Sequence, residues 1–304
     1  MDRPFSKLTF FLHSYGKVLG LVLMIVLGIL FPQFGALSFL IQYLLMAMLF
    51  LAFLDIEFRP GSFHKGILWV VLANIVVAFA GYGILRPFSL DLALTVFITG
   101  IAPTAIAAPV IIGFLQGQVE FVAAAVLLGN LTVSLVLPVA LPFVVGDVVK
   151  VSIWQVLRPV LVTMLVPLFL ARASRLLPQT TQSVIRRGKA FSFALWLSAL
   201  LISTAKASDF LRSDGSASAA VVLPIALISL VLCIVNFSLG AMLGGDRFRQ
   251  ESSQALGQKN NAFVIWVALT FINPLVAMGP TFYILYHNLY NSWQIYRFER
   301  RRNK

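Results

Sequence analysis

Three short stretches of this chain hold residues able to do chemistry within an otherwise apolar sequence. Gly257-Gln258-Lys259-Asn260-Asn261 sets an amine among amides. Gly100-Ile101-Ala102-Pro103-Thr104-Ala105-Ile106-Ala107-Ala108-Pro109 sets two prolines around one hydroxyl. Tyr286-His287-Asn288 adds an imidazole and another amide. Amides offer donors and acceptors together, and an ammonium offers only donors. Such groups suit the holding of an ion or a small anion. They do not suit bond cleavage, which needs paired acids, a Ser-Lys or Ser-His pair, or a metal. The sequence contains no Walker loop, dinucleotide fingerprint or metal-ligand cluster. His13, His64 and His287 are widely dispersed, and the single Cys233 excludes a disulfide framework. The expectation is a protein that is not an enzyme and carries no cofactor or resident metal.

Lys259 is the most informative of these residues, because lysine inside a membrane span is costly and marks a functional site by default. No carboxylate is expected mid-span beside it: Asp55, Glu57, Asp91, Glu120, Asp147, Asp246 and Glu251 all fall near the ends of apolar segments. Three roles are open to it. It is a built-in cation that braces the chain and attracts an anion, a group whose burial favours proton release, or a structural residue satisfied by helix-end carbonyls or by snorkelling. Arg158 lies inside another apolar segment, where it either snorkels or faces an anionic solute. The 26 Phe residues read as lipid-facing or packing residues. Gly81 and Gly83, and Gly240, Gly244 and Gly245, read as sites of close helix packing.

The elements that must position these groups follow from composition. Of 304 residues 60% are hydrophobic and only 11% charged, against about 25% charged in a typical soluble domain. A soluble enzyme and a disordered chain are both excluded. An all-α polytopic membrane protein remains. Ten segments are apolar and long enough for membrane helices: 16–31, 36–54, 66–86, 91–115, 119–145, 151–171, 188–205, 217–244, 250–272 and 275–291. Residues 1–15 read as an N-terminal interfacial segment and 292–304 as a basic tail. With ten spans and both termini cytoplasmic, sixteen of the 23 Lys and Arg residues fall in cytoplasmic segments and four (Arg86, Lys150, Lys206 and Arg212) in outer loops, as the positive-inside rule requires. The net charge of +12 therefore reports topology and contact with lipid headgroups, not nucleic acid.

Ten spans divide into five and five about a linker at 146–150, giving repeats at 16–145 and 151–291. Because five is odd, such repeats are inverted, a frequent design in secondary transporters. The fourth and ninth spans, in matching positions, then carry the two interruptions, with Pro103 and Pro109 in one and Gln258 to Asn261 in the other. Unwound backbone at membrane depth is tolerated only where protein buries it or it lines a cavity, so the pair points to a site near the bilayer midplane.

These residues resemble the bile acid:sodium symporter family. Three stretches carry the resemblance: ITGIAPTAIAAPVIIGFLQGQVEFVAAAVLLGNLT is similar to the family's fourth and fifth spans, LGQKNNAFVIWVALTFINPLVAMGP to its ninth, and YILYHNLYNSW to the end of its tenth. The resemblance implies ten spans in two inverted repeats. A panel domain comes from the first, second, sixth and seventh spans and a core domain from the rest, with the fourth and ninth crossing at their breaks. It also implies symport of small organic anions with sodium across the plasma (inner) membrane. Pro103, Thr104, Pro109, Gln258, Lys259, Asn260, Asn261, His287 and Asn288 then fall at the crossover and substrate site. Asn74 matches an amide of the third span, and Asn130, Thr132 and Ser134 offer polar lining.

The departures from the family pattern are as specific. Its Ser-Asn falls on Ala108-Pro109, a nearby Thr on Ile106, and its hydroxyl pair on Val122 and Val126. The glutamate shared by both sodium sites falls on Ala255, and the glutamine of its Gln-Asn pair on Lys259. The carboxylate is missing, and an ammonium beside an ion position repels a second cation strongly at low dielectric. The expectation is a carrier of small organic anions without the usual two-sodium site, driven by a proton or by the substrate's own gradient. A sodium-coupled carrier with a rearranged site, using Asn130, Thr132 and backbone carbonyls, stays open. So does a channel or receptor on the same scaffold.

Overall fold

The computed structural model describes residues 19–54, 64–146, 152–213 and 219–302. The expected interfacial segment 1–15 and all of the linker 146–150 except Gly146 lie outside the described residues. Thirteen α-helices follow one another: α1 (Leu19–Leu30), α2 (Leu40–Phe53), α3 (Lys65–Leu85), α4 (Leu90–Ile101), α5 (Ala108–Phe114), α6 (Val119–Val145), α7 (Ile153–Ala173), α8 (Gln179–Arg187), α9 (Ser192–Ser213), α10 (Ala219–Gly244), α11 (Arg249–Gly257), α12 (Asn261–Phe271) and α13 (Pro274–Arg302). A 3-10 helix, Pro32–Phe39, leads into α2. Among the described residues there is no extended strand, only one isolated bridge.

The fold is all-α, and its surface is that of a membrane protein. Five helical stretches are long and apolar enough to cross a bilayer, and α1, α4 and α12 are shorter apolar helices. On α3, Leu68, Trp69, Val76 and Ile84 are all more than half exposed, as are Leu223, Leu227, Ile234 and Met242 on α10. A helix that is apolar all round yet mostly uncovered needs lipid as its solvent.

The segments 91–115 and 250–272 are each broken where interruptions were expected, into α4 with α5 and α11 with α12. Several other expected spans differ in detail. The segment 188–205 is a longer helix, because the chain continues helically to Ser213. Lys206 and Arg212 are therefore on α9 and not in a loop, and Arg212 donates to the Ile29 carbonyl at the end of α1 (2.6 Å). The last span does not stop at 291. No Gly or Pro follows Asn291 in the basic stretch, so nothing ends the helix, and α13 runs on to Arg302.

Matching pairs of helices hold the broken spans. α3 packs along α4, and α10 along α11. Both contacts need a missing side chain. A Cβ on Gly100 would sit 3.0 Å from the Ala78 Cα, and one on Gly240 2.5 Å from the Ser252 carbonyl oxygen. Gly81 and Gly244 lie in the same two contacts. Gly83 and Gly245 do not: a Cβ on either meets nothing within 4 Å, and Gly245 instead takes a left-handed turn (φ +55°).

An acidic residue in the first turn of each leading half-helix adds a second correspondence. Glu251 of α11, 6% exposed, accepts from the backbone N–H of Gln118, the residue that precedes α6 (2.8 Å). Asp91 of α4 accepts from Asn273 Nδ2 (3.4 Å), and Asn273 in turn caps α13 through the Val276 N–H (2.8 Å). Each half-helix is thus tied to the start of the helix that follows the other broken pair. Glu251→Leu is expected to lower stability by about 1–3 kcal/mol, the worth of a hydrogen bond to a charged acceptor. Chemical denaturation of the purified protein checks this, and Glu251→Gln, which keeps an acceptor oxygen, should recover most of the loss.

Candidate functional site

The two interruptions meet. α4 ends at Ile101 and the chain runs extended through Ala102 to Thr104 before α5 begins at Ala108. Proline at 103 lacks an N–H and cannot continue α4. Pro109, expected within the interruption, lies beyond the unwound stretch. It stands in the first turn of α5, where a missing N–H costs nothing. On the other strand of the crossing, α11 ends at Gly257, and Asn260 caps α12 with its side-chain oxygen toward the Phe263 N–H (3.4 Å).

Thr104 and Lys259 face each other as an antiparallel bridge. The Ala105 N–H donates to the Gln258 carbonyl and the Asn260 N–H to the Pro103 carbonyl, both at 2.8 Å. The Thr104 hydroxyl donates to the Ala255 carbonyl (2.6 Å), one of the carbonyls left open by the end of α11. Asn130 of α6 closes the crossing from outside, donating to the Thr104 carbonyl (3.2 Å) and to the Val126 carbonyl of its own helix (2.7 Å). Two lengths of unwound backbone thereby satisfy each other in the middle of an apolar protein.

Lys259 is 2% exposed. Its ammonium donates to the Gly100 carbonyl in the last turn of α4 (3.0 Å) and to Asn74 Oδ1 on α3. The Asn74 amide then donates to the Ile101 carbonyl (3.0 Å). A cation at a helix C-terminus meets open carbonyls and the negative end of the helix dipole. None of the hydrogen bonds resolved for Lys259 goes to a carboxylate. Among the described residues the partners of this amine are carbonyl and amide oxygens, which suit a positive charge.

The remaining expected residues divide. Asn261 is buried at the start of α12, donating to the Lys259 carbonyl (3.2 Å) and lying 3.4 Å from His287 Nδ1 on α13. Gln258 is buried with its side-chain oxygen unpartnered, as are Asn260 Nδ2, Asn261 Oδ1 and Asn130 Oδ1. Ser134 is buried but donates to the Asn130 carbonyl of its own helix. Thr132 is only half-buried, on a different face of α6 from Asn130 and Ser134. Asn288 is half-buried, and its amide is spent on the Ile284 carbonyl one turn back. Neither Thr132 nor Asn288 is part of the crossing, and Arg158 is exposed on α7. Ala108, Val122, Val126 and Ala255 are buried and bring only methyl groups to their surroundings. Among the described residues no group of three His, Cys, Asp or Glu is placed to hold a metal ion.

Beside the crossing is a small apolar cleft of about 10 Å³, lined by Ile41 of α2, Trp196 and Leu200 of α9, Ala262 and Ile265 of α12, and Ile284 of α13. Ala262, the second residue of α12, is the lining residue nearest the crossing along the chain. Sequence reasoning did not find Tyr283, whose hydroxyl accepts from Asn236 (3.2 Å) and donates to the Gly257 carbonyl (2.7 Å). Nor did it find Gln254, Asn291 and Gln294, an amide cluster below the crossing. The spacing of 254 with 258, and of 287, 291 and 294, is helical and was the available signal. Compared with models of known protein families the chain matches none, and no curated protein matches it significantly.

Proposed function

We propose that this protein is a secondary transporter of small organic anions, working by alternating access without the two-sodium site of the bile acid:sodium symporter family it resembles. The observation that carries the reading is the Lys259 ammonium at the end of α4, inside a crossing of two broken helices. Broken helices crossing at membrane depth, next to a cleft, are the usual setting of a transporter's binding site. The cation draws an anionic head to the crossing, where the N-terminal end of α12 also favours negative charge. Rocking of the helices around the small apolar cleft would have to make the room that the rest of the molecule needs. A sodium ion placed near Asn74 would stand against a fixed ammonium and would find Ala255 in place of a counter-charge, and that repulsion outweighs what amide oxygens offer. Lys259 thus fills the part of a permanently bound cation.

The wider layout follows the same reading. Spans one to five and six to ten form inverted repeats, with α4/α5 and α11/α12 as the fourth and ninth. The reciprocal packing of α3 on α4 and α10 on α11, and the ties at Asp91 and Glu251, support this pairing. α1, α2, α7 and α9 make the panel, and the other spans the core. The cleft lies between panel helices α2 and α9 and core helices α12 and α13, where rocking of one domain against the other would open it to either side. Both termini lie on the cytoplasmic side of the plasma membrane.

A thermal-shift screen of small organic acids against the purified protein, with and without sodium and across pH, tests this directly. Ligand at about 100 times its Kd stabilises by about 2.7 kcal/mol. At least one acid is expected to raise the melting temperature by several degrees in sodium-free buffer, and its uptake into liposomes to be slow and saturable. A strong sodium effect without any acid, or a sustained conductance in planar bilayers, would overturn the reading in favour of a sodium carrier or a channel.

A further inference from the structure

A second polar feature leaves the crossing and runs through the protein toward the end of α13. His287, Asn291 and Gln294 stand at i, i+4 and i+7 on α13, a single helix face. Gln254 stands in the last turn of α11, and Gln258 is the residue that follows that helix. Gln254 Nε2 donates to Asn291 Oδ1 (2.9 Å) and to Gln294 Oε1 (2.6 Å), and Asn261 joins the row through His287. Gln254 is 0% exposed, Asn261 2%, Asn291 3%, and Gln258 and His287 4%. The row begins one turn beyond Ile284, which lines the apolar cleft, and ends one turn before the exposed Arg297 of the basic stretch.

This row is under-bonded. Gln254 Oε1, Gln258 Oε1, Asn261 Oδ1 and Asn291 Nδ2 are all buried without a partner. Reversing amide orientations does not mend it. Turning Gln254, Asn291 and Gln294 together exchanges donors for acceptors, keeps the same two bonds, and still leaves one unpaired atom on Gln254 and one on Asn291. The large majority of buried side-chain amides find partners, so these four orphans call for bonding groups beyond those the chain supplies. The required partner is small, donates to three oxygens and accepts from one N–H. Water has that chemistry, and a polar site with two to four partners per molecule is where buried water is held.

We infer that α11 and α13 enclose a file of water molecules, running from the crossing at Asn261 and His287 to the membrane face that bears the basic stretch of α13. The file hydrates the crossing from that face and gives His287 contact with bulk water. It does not depend on what the protein carries, so it stands or falls separately from the transport reading.

X-ray hydroxyl-radical footprinting of the purified full chain, with no substrate present, reads bound water beside a buried side chain. His287 is expected to be oxidised about tenfold or more faster than Phe97 and Phe263, which are equally buried but packed among apolar groups. In the double variant Gln254→Leu, Asn291→Leu the His287 rate is expected to fall about fivefold or more, with no loss of melting temperature, because the orphaned amides go together with their water. A wild-type His287 as slow as Phe263 overturns the inference without need of any variant. So does a His287 rate that is unchanged in a folded double variant.

Discussion

Lys259→Ala is expected to destabilise the protein by about 3–5 kcal/mol and to abolish uptake of its anionic substrate, the stability loss being the sum of a cavity and two stranded acceptors. The lysine stem fills space at 2% exposure. Its ammonium is the shared donor for the Gly100 carbonyl and Asn74 Oδ1. Truncation leaves both oxygens dry, at the place where α4 has run out of its own N–H groups. Lys259→Met separates the two contributions. It keeps the volume and loses only the charge and its bonds, so its cost in denaturant unfolding should be smaller, about 2–3 kcal/mol. Uptake should be lost in both variants, because the anion's partner is absent in both. A Lys259→Met protein with wild-type uptake in liposomes would show that the charge is not used for transport and that Lys259 serves the crossing alone.

The geometry at Lys259 shows one of the three roles the sequence leaves open for it: the side chain braces the crossing through the Gly100 carbonyl and Asn74. Its part as a cation for an anionic substrate is what the Lys259→Met measurement decides. Much of this site was legible along the chain, since a proline pair and a polar run are local breaks in helix chemistry. Pairing was not legible. Asn74 and Lys259 are 185 positions apart, and no periodicity joins them. Local rules also misassigned Pro109, because a proline reads alike as a break and as the first turn of a new helix. The end of α13 was misplaced for the opposite reason: charge was taken to mark a tail, whereas arginine and glutamate are good helix formers. The amide row was visible as spacing but hidden by chemistry, because glutamine and asparagine on a helix ordinarily mean a solvated face. Only their burial reveals them as a polar interior.

Gly240 is the position where the smallest change should propagate furthest. Gly240→Val is expected to cost about 1–3 kcal/mol or more from overpacking and to impair transport well beyond what that loss of stability accounts for. An added Cβ would lie 2.5 Å from the Ser252 carbonyl oxygen and 2.9 Å from the Ser253 Cα. Both are backbone atoms, so no rotamer change relieves the clash and α11 must move away from α10. That helix has little freedom to move. Ser253 is held to the Phe237 carbonyl (2.8 Å), Glu251 to the start of α6 (2.8 Å), and the Ala255 carbonyl to the Thr104 hydroxyl (2.6 Å). A shift of α11 large enough to admit two methyl groups would lengthen the Thr104 bond and pull Gln258 from Ala105, opening the bridge that holds Lys259 in place. Gly83→Ala is the matched control. It lies exposed on α3 with nothing near its Cβ position, so alanine should be neutral or stabilise by up to about 1 kcal/mol through helix propensity. Equal melting temperatures and equal uptake for Gly240→Val and Gly83→Ala would mean that α11 slides freely along α10, and that the crossing is not held by the contact between them.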